Sequence, residues 1–259
     1  GKVVITTELI RRAVDRRGAC AVWAARSYPA YSLNEIVGEN RAAGIDEATV
    51  VIGAEHTDSP EQQAQAGRCA LMIAQRLAEC NREVVLVVDE ALVTEDLVDA
   101  IAADGHDLTT LAWVNRELPP GEGVPPHLIV DAADSVIVLS RQLAARGIWP
   151  AFDSLRSRSR LLSDADAYGS AARRARALLR EHENLDAGEN VAVSGGLAGR
   201  ARRLLRYQTQ PFFVAEAFTA RPGSYVARER SLRDVEALLA GAYDERPEAE
   251  LTFTGELPE

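Results

Sequence analysis

Two adjacent acids, Asp89 and Glu90, follow the most apolar run of the chain, VVLVV at 84–88. Carboxylates in such a place can move a proton or hold the polar end of a ligand, and α/β proteins put their ligand sites at the carboxyl ends of parallel strands. A second place of chemical interest is the stretch 134–160. There a short apolar run ends in Ser140-Arg141, the chain breaks at Gly147, and Trp149-Pro150 follows. That order predicts a strand, a short helix and an exposed aromatic platform. A third is QPFFVAEAFT at 210–219, with rings at Phe212, Phe213 and Phe218. The only lysine is Lys2, directly behind Gly1. No metal site is indicated: His56, His106, His127 and His182 lie on separate segments, and Cys20, Cys69 and Cys80 form no CxxC pair. Nothing around Ser140 suggests a nucleophile elbow.

The elements that must position these groups follow from periodicity. Residues 3–17 have helical spacing and stop at Gly18, a left-handed terminator. Strands are expected at 19–25, 48–53 and 83–88, with helices at 32–41 and 59–81 between them. Ser59-Pro60-Glu61-Gln62 supplies the second helix with a cap, a first-turn proline and a capping-box partner. Further strands are expected at 108–114, 127–130 and 136–139. Uniformly apolar strands alternating with helices argue for an α/β fold whose parallel sheet is covered on both faces. The prolines and glycines of 115–126 mark a surface loop. Beyond Arg160 the pattern turns helical, at 164–184, 197–207 and 231–240, so a boundary is placed near Leu162. Residues 1–162 then form the sheet-bearing domain and 163–259 a helical one.

Composition narrows the function. A chain of 259 residues, 47% of them hydrophobic, can bury a sizeable core. A formal charge of −10 argues against a nucleic-acid or anionic-membrane partner, because neutralising phosphates needs a basic footprint. The arginines at 156–160, 173–176 and 200–206 read as solvated helix faces balanced by nearby acids. Odd, unpaired cysteines suit a reducing compartment. No run approaches the roughly 18 apolar residues of a membrane span, and the first residues lack a signal-peptide pattern, so a cytoplasmic protein without membrane insertion is expected.

The stretches 134–160 and 210–219, taken together and in order, resemble the β subunit of the rotary (F-type) ATP synthases. In that family LSR…GIYPAVDPL…SR and QPF-VAE-FTG build the pocket for the adenine ring. The resemblance implies a RecA-like domain of the P-loop NTPase type followed by the family's helical domain. It also implies that Trp149 replaces the tyrosine that stacks on adenine, with Phe212, Ala215 and Phe218 lining the rest of that pocket. An indole is a fair replacement, since stacking needs a flat π face. Asp89 then takes the place of the Walker B aspartate.

The same resemblance exposes departures. A phosphate-binding loop needs glycines, a lysine and a magnesium-binding hydroxyl. Here only Gly1-Lys2 of it is present, and Val3 stands where the hydroxyl belongs. Tyr28 is nearest the place of the catalytic glutamate, Val93 replaces an arginine, and GENVAVSGG at 188–196 replaces the acidic loop that contacts the rotating shaft. The barrel that ties the family's ring together is also missing. Losing these groups removes most of the electrostatic stabilisation of phosphoryl transfer. The leading expectation is a protein that binds ADP, ATP or a similar small molecule in the old adenine pocket, with Lys2 at its phosphate end, without hydrolysing it. The missing hydroxyl weighs against magnesium. A second expectation is a repurposed lyase, cyclase or isomerase in which Asp89 and Glu90 do acid/base work on a small apolar substrate. A third is a subunit of a homo- or hetero-oligomer whose partner completes the site.

Overall fold

The computed structural model describes residues 1–29, 31–80, 82–105, 108–114, 126–160, 162, 166–186 and 195–258. The chain divides into two compact units, Lys2–Ala133 and Asp134–Glu259, with Gly1 grouped with the latter.

The first unit opens with helix α1 (Lys2–Arg17), stopped by Gly18 at φ +62°. Strand β1 (Cys20–Arg26) follows, then α2 (Leu33–Ala42), β2 (Thr49–Ala54), α3 (Pro60–Glu79) and β3 (Val84–Val88). Helix α4 (Glu95–Ala102), β4 (Leu108–Ala112) and α5 (Pro126–Ala132) complete it. Both α2 and α3 begin with full capping boxes, Ser32 with Glu35 and Ser59 with Gln62, which satisfy amides that would otherwise lack partners.

The four strands form a wholly parallel sheet in the order β2-β1-β3-β4. Successive side chains point to opposite faces. Val22, Ala24, Val84, Leu86 and Val88 therefore share one face and pack with Ala66, Ala70, Leu71 and Ala74 of α3. Trp23, fully buried, occupies the other face and meets Trp113 edge to face at 5.6 Å. The Trp113 indole N–H in turn donates to Thr6 of α1 at 2.9 Å. The sheet is thus clothed on both sides, as uniformly apolar strands require.

The second unit is mostly helical. Strand β5 (Ser135–Val136) pairs antiparallel with β6 (Arg158–Ser159), an isolated bridge joins Leu139 to Phe152, and α6 (Arg141–Ala145) lies between them. Helices α7 (Ala167–Asp186), α8 (Gly195–Tyr207), α9 (Glu216–Thr219) and α10 (Arg228–Ala240) follow. Leu178, Leu179, Leu204, Tyr207 and Leu238 of α7, α8 and α10 form a common core with Leu251 and Leu257.

An α/β fold with a parallel sheet followed by a helical region, the RecA-like arrangement, is as expected. Two local expectations are corrected. The run 127–130 is helix and not strand, because Pro126 opens α5, where its missing N–H costs nothing. The run 136–139 does not join the parallel sheet and contributes only Ser135–Val136 to a separate two-stranded ladder. The division between units falls well before Leu162, because the segment carrying β5 and β6 is tied to the helices. Arg176 of α7 donates to the carbonyls of Ser154 and Ser157, at 3.1 and 2.9 Å. The loop 115–125 and the 188–194 part of the shaft-loop replacement lie outside the described residues.

Candidate functional site

Because the four strands run parallel, the residues that follow them gather at one end of the sheet. Ser27-Tyr28 follow β1, Glu55-His56 follow β2, Asp89-Glu90 follow β3 and Trp113 follows β4. The backbone holds the alignment: Asp89 N–H donates to Ala24 at 3.0 Å, and Trp113 N–H to Val88 at 3.0 Å.

Asp89 is the centre of the group and is only 1% exposed. Its Oδ1 accepts the Tyr28 hydroxyl at 2.6 Å and the Ala91 backbone N–H at 3.2 Å. Glu90, also buried, takes an ion pair from Lys2, Nζ to Oε2 at 3.1 Å, while the same ammonium stands 5.9 Å from the centre of the Trp113 ring. Burial pushes the Asp89 carboxyl above the usual aspartate range, and the neighbouring Glu90 charge adds to this. The hydrogen bonds from Tyr28 and Ala91 and the charge of Lys2 pull the other way without cancelling it. Burial, then the charge of Asp89 and the bond to it, drive the Tyr28 phenol well above its ordinary value. Tyr28 is therefore a donor that keeps its proton, and Asp89 an acid with a strengthened hold on one.

Beside this group, the Ser27 hydroxyl donates to Glu55 Oε2 at 2.5 Å, accepts the His56 backbone N–H at 2.9 Å and lies 3.3 Å from His56 Nδ1. The sequence offered no sign of this contact, nor of Trp113 as a wall of the acid site. Both arise only when parallel pairing aligns strand ends that are far apart in the chain.

The residues present do not fit a magnesium ion of the kind a triphosphate brings. Val3 offers no side-chain oxygen, and Asp89 Oδ1 already accepts two hydrogen bonds, from Tyr28 and Ala91. Among the described residues no group of three or more His, Cys, Asp or Glu is placed to hold a metal.

The sequence-predicted residues fall into two sets. Lys2, Asp89 and Glu90 come together in the first unit, whereas Trp149, Phe212, Ala215 and Phe218 all belong to the second. Trp149 follows the left-handed Gly147 (φ +73°), is joined to Pro150 by a cis peptide and is 47% exposed. Phe212 and Ala215 are half-buried around the 3-10 turn Phe213–Ala215, where Ala215 N–H donates to Phe212 at 3.1 Å. Phe218, on α9, is 90% exposed. Phe213 packs locally. It lies so close to Gly223 that a Cβ there would come within 2.5 Å of its Cδ1.

Fold and strand-end acids define an α/β protein of RecA-like arrangement. No family model matches the chain. It is similar to ATP synthase subunit beta 2 of Cereibacter sphaeroides, at 31% identity over 300 residues. The match takes in 100% of this chain but 64% of the relative, so the chain spans less than two thirds of that protein's length. The similarity links the chain to ATP synthase β subunits at the coarse level of the family.

Proposed function

We propose that this protein is a non-hydrolytic relative of ATP synthase β subunits that binds a nucleotide or a similar small molecule through its aromatic stretch, Trp149, Phe212, Ala215 and Phe218. The observation that carries the reading is the state of the acid end. Asp89 is buried and hydrogen-bonded to Tyr28, and Lys2 is engaged with Glu90. Groups occupied with one another are not arranged to hold magnesium or to activate a water, which is the work that phosphoryl transfer asks of a protein. The similarity to a nucleotide-synthase subunit supports the choice of ligand class, with ADP and ATP as the first candidates. The test of the catalytic half is phosphate release from ATP with magnesium by the purified chain. Release at the background rate is the expected result, and turnover near 1 s⁻¹ or faster, the ordinary range of enzymes, overturns the reading.

One observation favours a second reading. A buried carboxyl that holds its proton more tightly than usual, beside a phenol and a second acid, is the equipment of a general acid. A lyase, cyclase or isomerase built on Asp89 and Glu90 fits it, and the fold does not choose among these. A substrate-dependent activity lost in Asp89→Asn with the fold intact would select this alternative. Assembly with a partner that completes the site is compatible with either reading, and the mass of the protein in solution addresses it.

A further inference from the structure

Phe253 holds a left-handed backbone, φ +57°, which is costly for a bulky side chain and persists only where the surroundings enforce it. Here they do. Its N–H donates to both the carbonyl and the hydroxyl oxygen of Thr209, at 3.2 and 3.0 Å, and the Arg221 guanidinium stands 5.2 Å from the centre of its ring. Two residues on, Gly255 takes φ +72° and its carbonyl accepts the Gln210 side-chain N–H at 3.2 Å. It passes so close to Ser224 that a Cβ there would stand 2.9 Å from the serine Cβ. Thr209 and Gln210 lead into the aromatic loop 211–224, and Ser224 closes it, its N–H donating to Pro211 at 3.0 Å. Phe212, Ala215 and Phe218 lie on that loop. The chain at 253–255 therefore crosses the neck of the loop.

The far end of the crossing is anchored in the helical core. The Leu257 N–H donates to Asp234 Oδ2 at 3.1 Å, and its carbonyl accepts Arg230 Nη2 at 2.6 Å. Asp234, buried on α10, also accepts the Tyr207 hydroxyl at 3.0 Å and Arg230 Nε at 2.9 Å. Surface loops drawn together at the neck are frequently functional, and a loop held in one shape loses less freedom when it takes a ligand. We propose that residues 253–257 are a strap that sets the conformation of the loop 211–224, with Gln210 and Asp234 as its positioning residues. What the loop binds rests on the nucleotide reading; that the strap holds it does not.

The test is amide hydrogen exchange of the full chain, read by mass spectrometry. Gln210→Ala removes the bonds to the carbonyls of Gly255 and Tyr207, and Gly255→Ala forces the strap away from Ser224. Each should speed exchange in 211–224 about tenfold or more while the amides of α7 keep their native rates. Asp234→Ala, which releases Leu257, should act in the same direction; the other two variants leave the core intact and decide the matter if this one does not fold. Arg174→Ala takes away an exposed pair with Glu236 and should change loop exchange by less than about twofold. Loop exchange that is unchanged in both Gln210→Ala and Gly255→Ala overturns the proposal. So does equal acceleration of the loop and α7, which would mean general destabilisation. ADP at about 100 times its Kd should slow loop exchange roughly a hundredfold, since it binds the strapped form. ADP that binds and leaves loop exchange unchanged overturns the strap's part in binding. No ADP binding removes the nucleotide reading alone, and the ligand-free comparison still decides on the strap.

Discussion

A carboxylate taken out of water costs free energy unless its charge is compensated, and Asp89 receives only partial compensation from Tyr28, Ala91 and Lys2. Its folded-state affinity for a proton is raised above that of the unfolded chain. The stability linked to that proton is present in full below the ordinary aspartate range and is lost as the pH rises through the raised value. Asp89→Asn keeps an oxygen for the Tyr28 hydroxyl and the Ala91 N–H but carries no charge. The variant is expected to melt at a higher temperature than the native chain near pH 8, with the gain closing as the pH falls toward the carboxylate range. Thermal melts followed by circular dichroism across that range check this. A variant that melts lower by the same amount at every pH would mean that the site tolerates the ionised form without cost. Asp89 and Glu90 were legible in the sequence because their signal is local, an acid ending a buried apolar run. The partners of Asp89 were less so. Tyr28 stood out only through the family resemblance, and its bond to Asp89 spans 61 positions.

At the scale of the elements, α3 brings the turn after Asp89 into place by close approach. A Cβ on Gly67 would stand 2.6 Å from the Leu92 carbonyl oxygen and 3.0 Å from Leu97 Cδ2. Alanine normally gains about 1 kcal/mol over glycine inside a helix. Here the overlap with backbone outweighs that gain, and Gly67→Ala is expected to lose about 1–3 kcal/mol net. Gly38 on α2 is the control, since a Cβ there meets nothing within 4 Å and Gly38→Ala should be neutral or stabilising. Urea titrations of both variants decide it, and the account of α3 fails if the two behave alike. The regular elements of the first unit were readable because caps and breakers punctuate them: Ser59 and Gly18 sit where the sequence placed them. The short apolar runs were not. His127-Leu128-Ile129-Val130 and Val136-Ile137-Val138-Leu139 are too brief for periodicity to tell strand from helix, or one sheet from another. Pro126 opens the first as a helix, and pairing with Arg158–Ser159 takes the start of the second into a separate ladder.

For the whole molecule, the sheet-then-helices order was legible from alternation and composition. The place where the units divide was not, because it depends on the tie between 154–157 and Arg176. Among the described residues no helix is long and apolar enough to cross a membrane. Similarity to an ATP synthase β subunit, a parallel sheet with engaged acids at its end and the aromatic residues that the resemblance assigns to adenine together motivate one central proposal, nucleotide binding without turnover. The most direct test is calorimetric titration of ADP into the native chain and into Trp149→Ala. The account predicts one saturable site in the native chain, weakened about tenfold or more in the variant, since stacking a base on an aromatic is worth about 1–3 kcal/mol. No binding at millimolar ADP, or binding that ignores the loss of the indole, would contradict it.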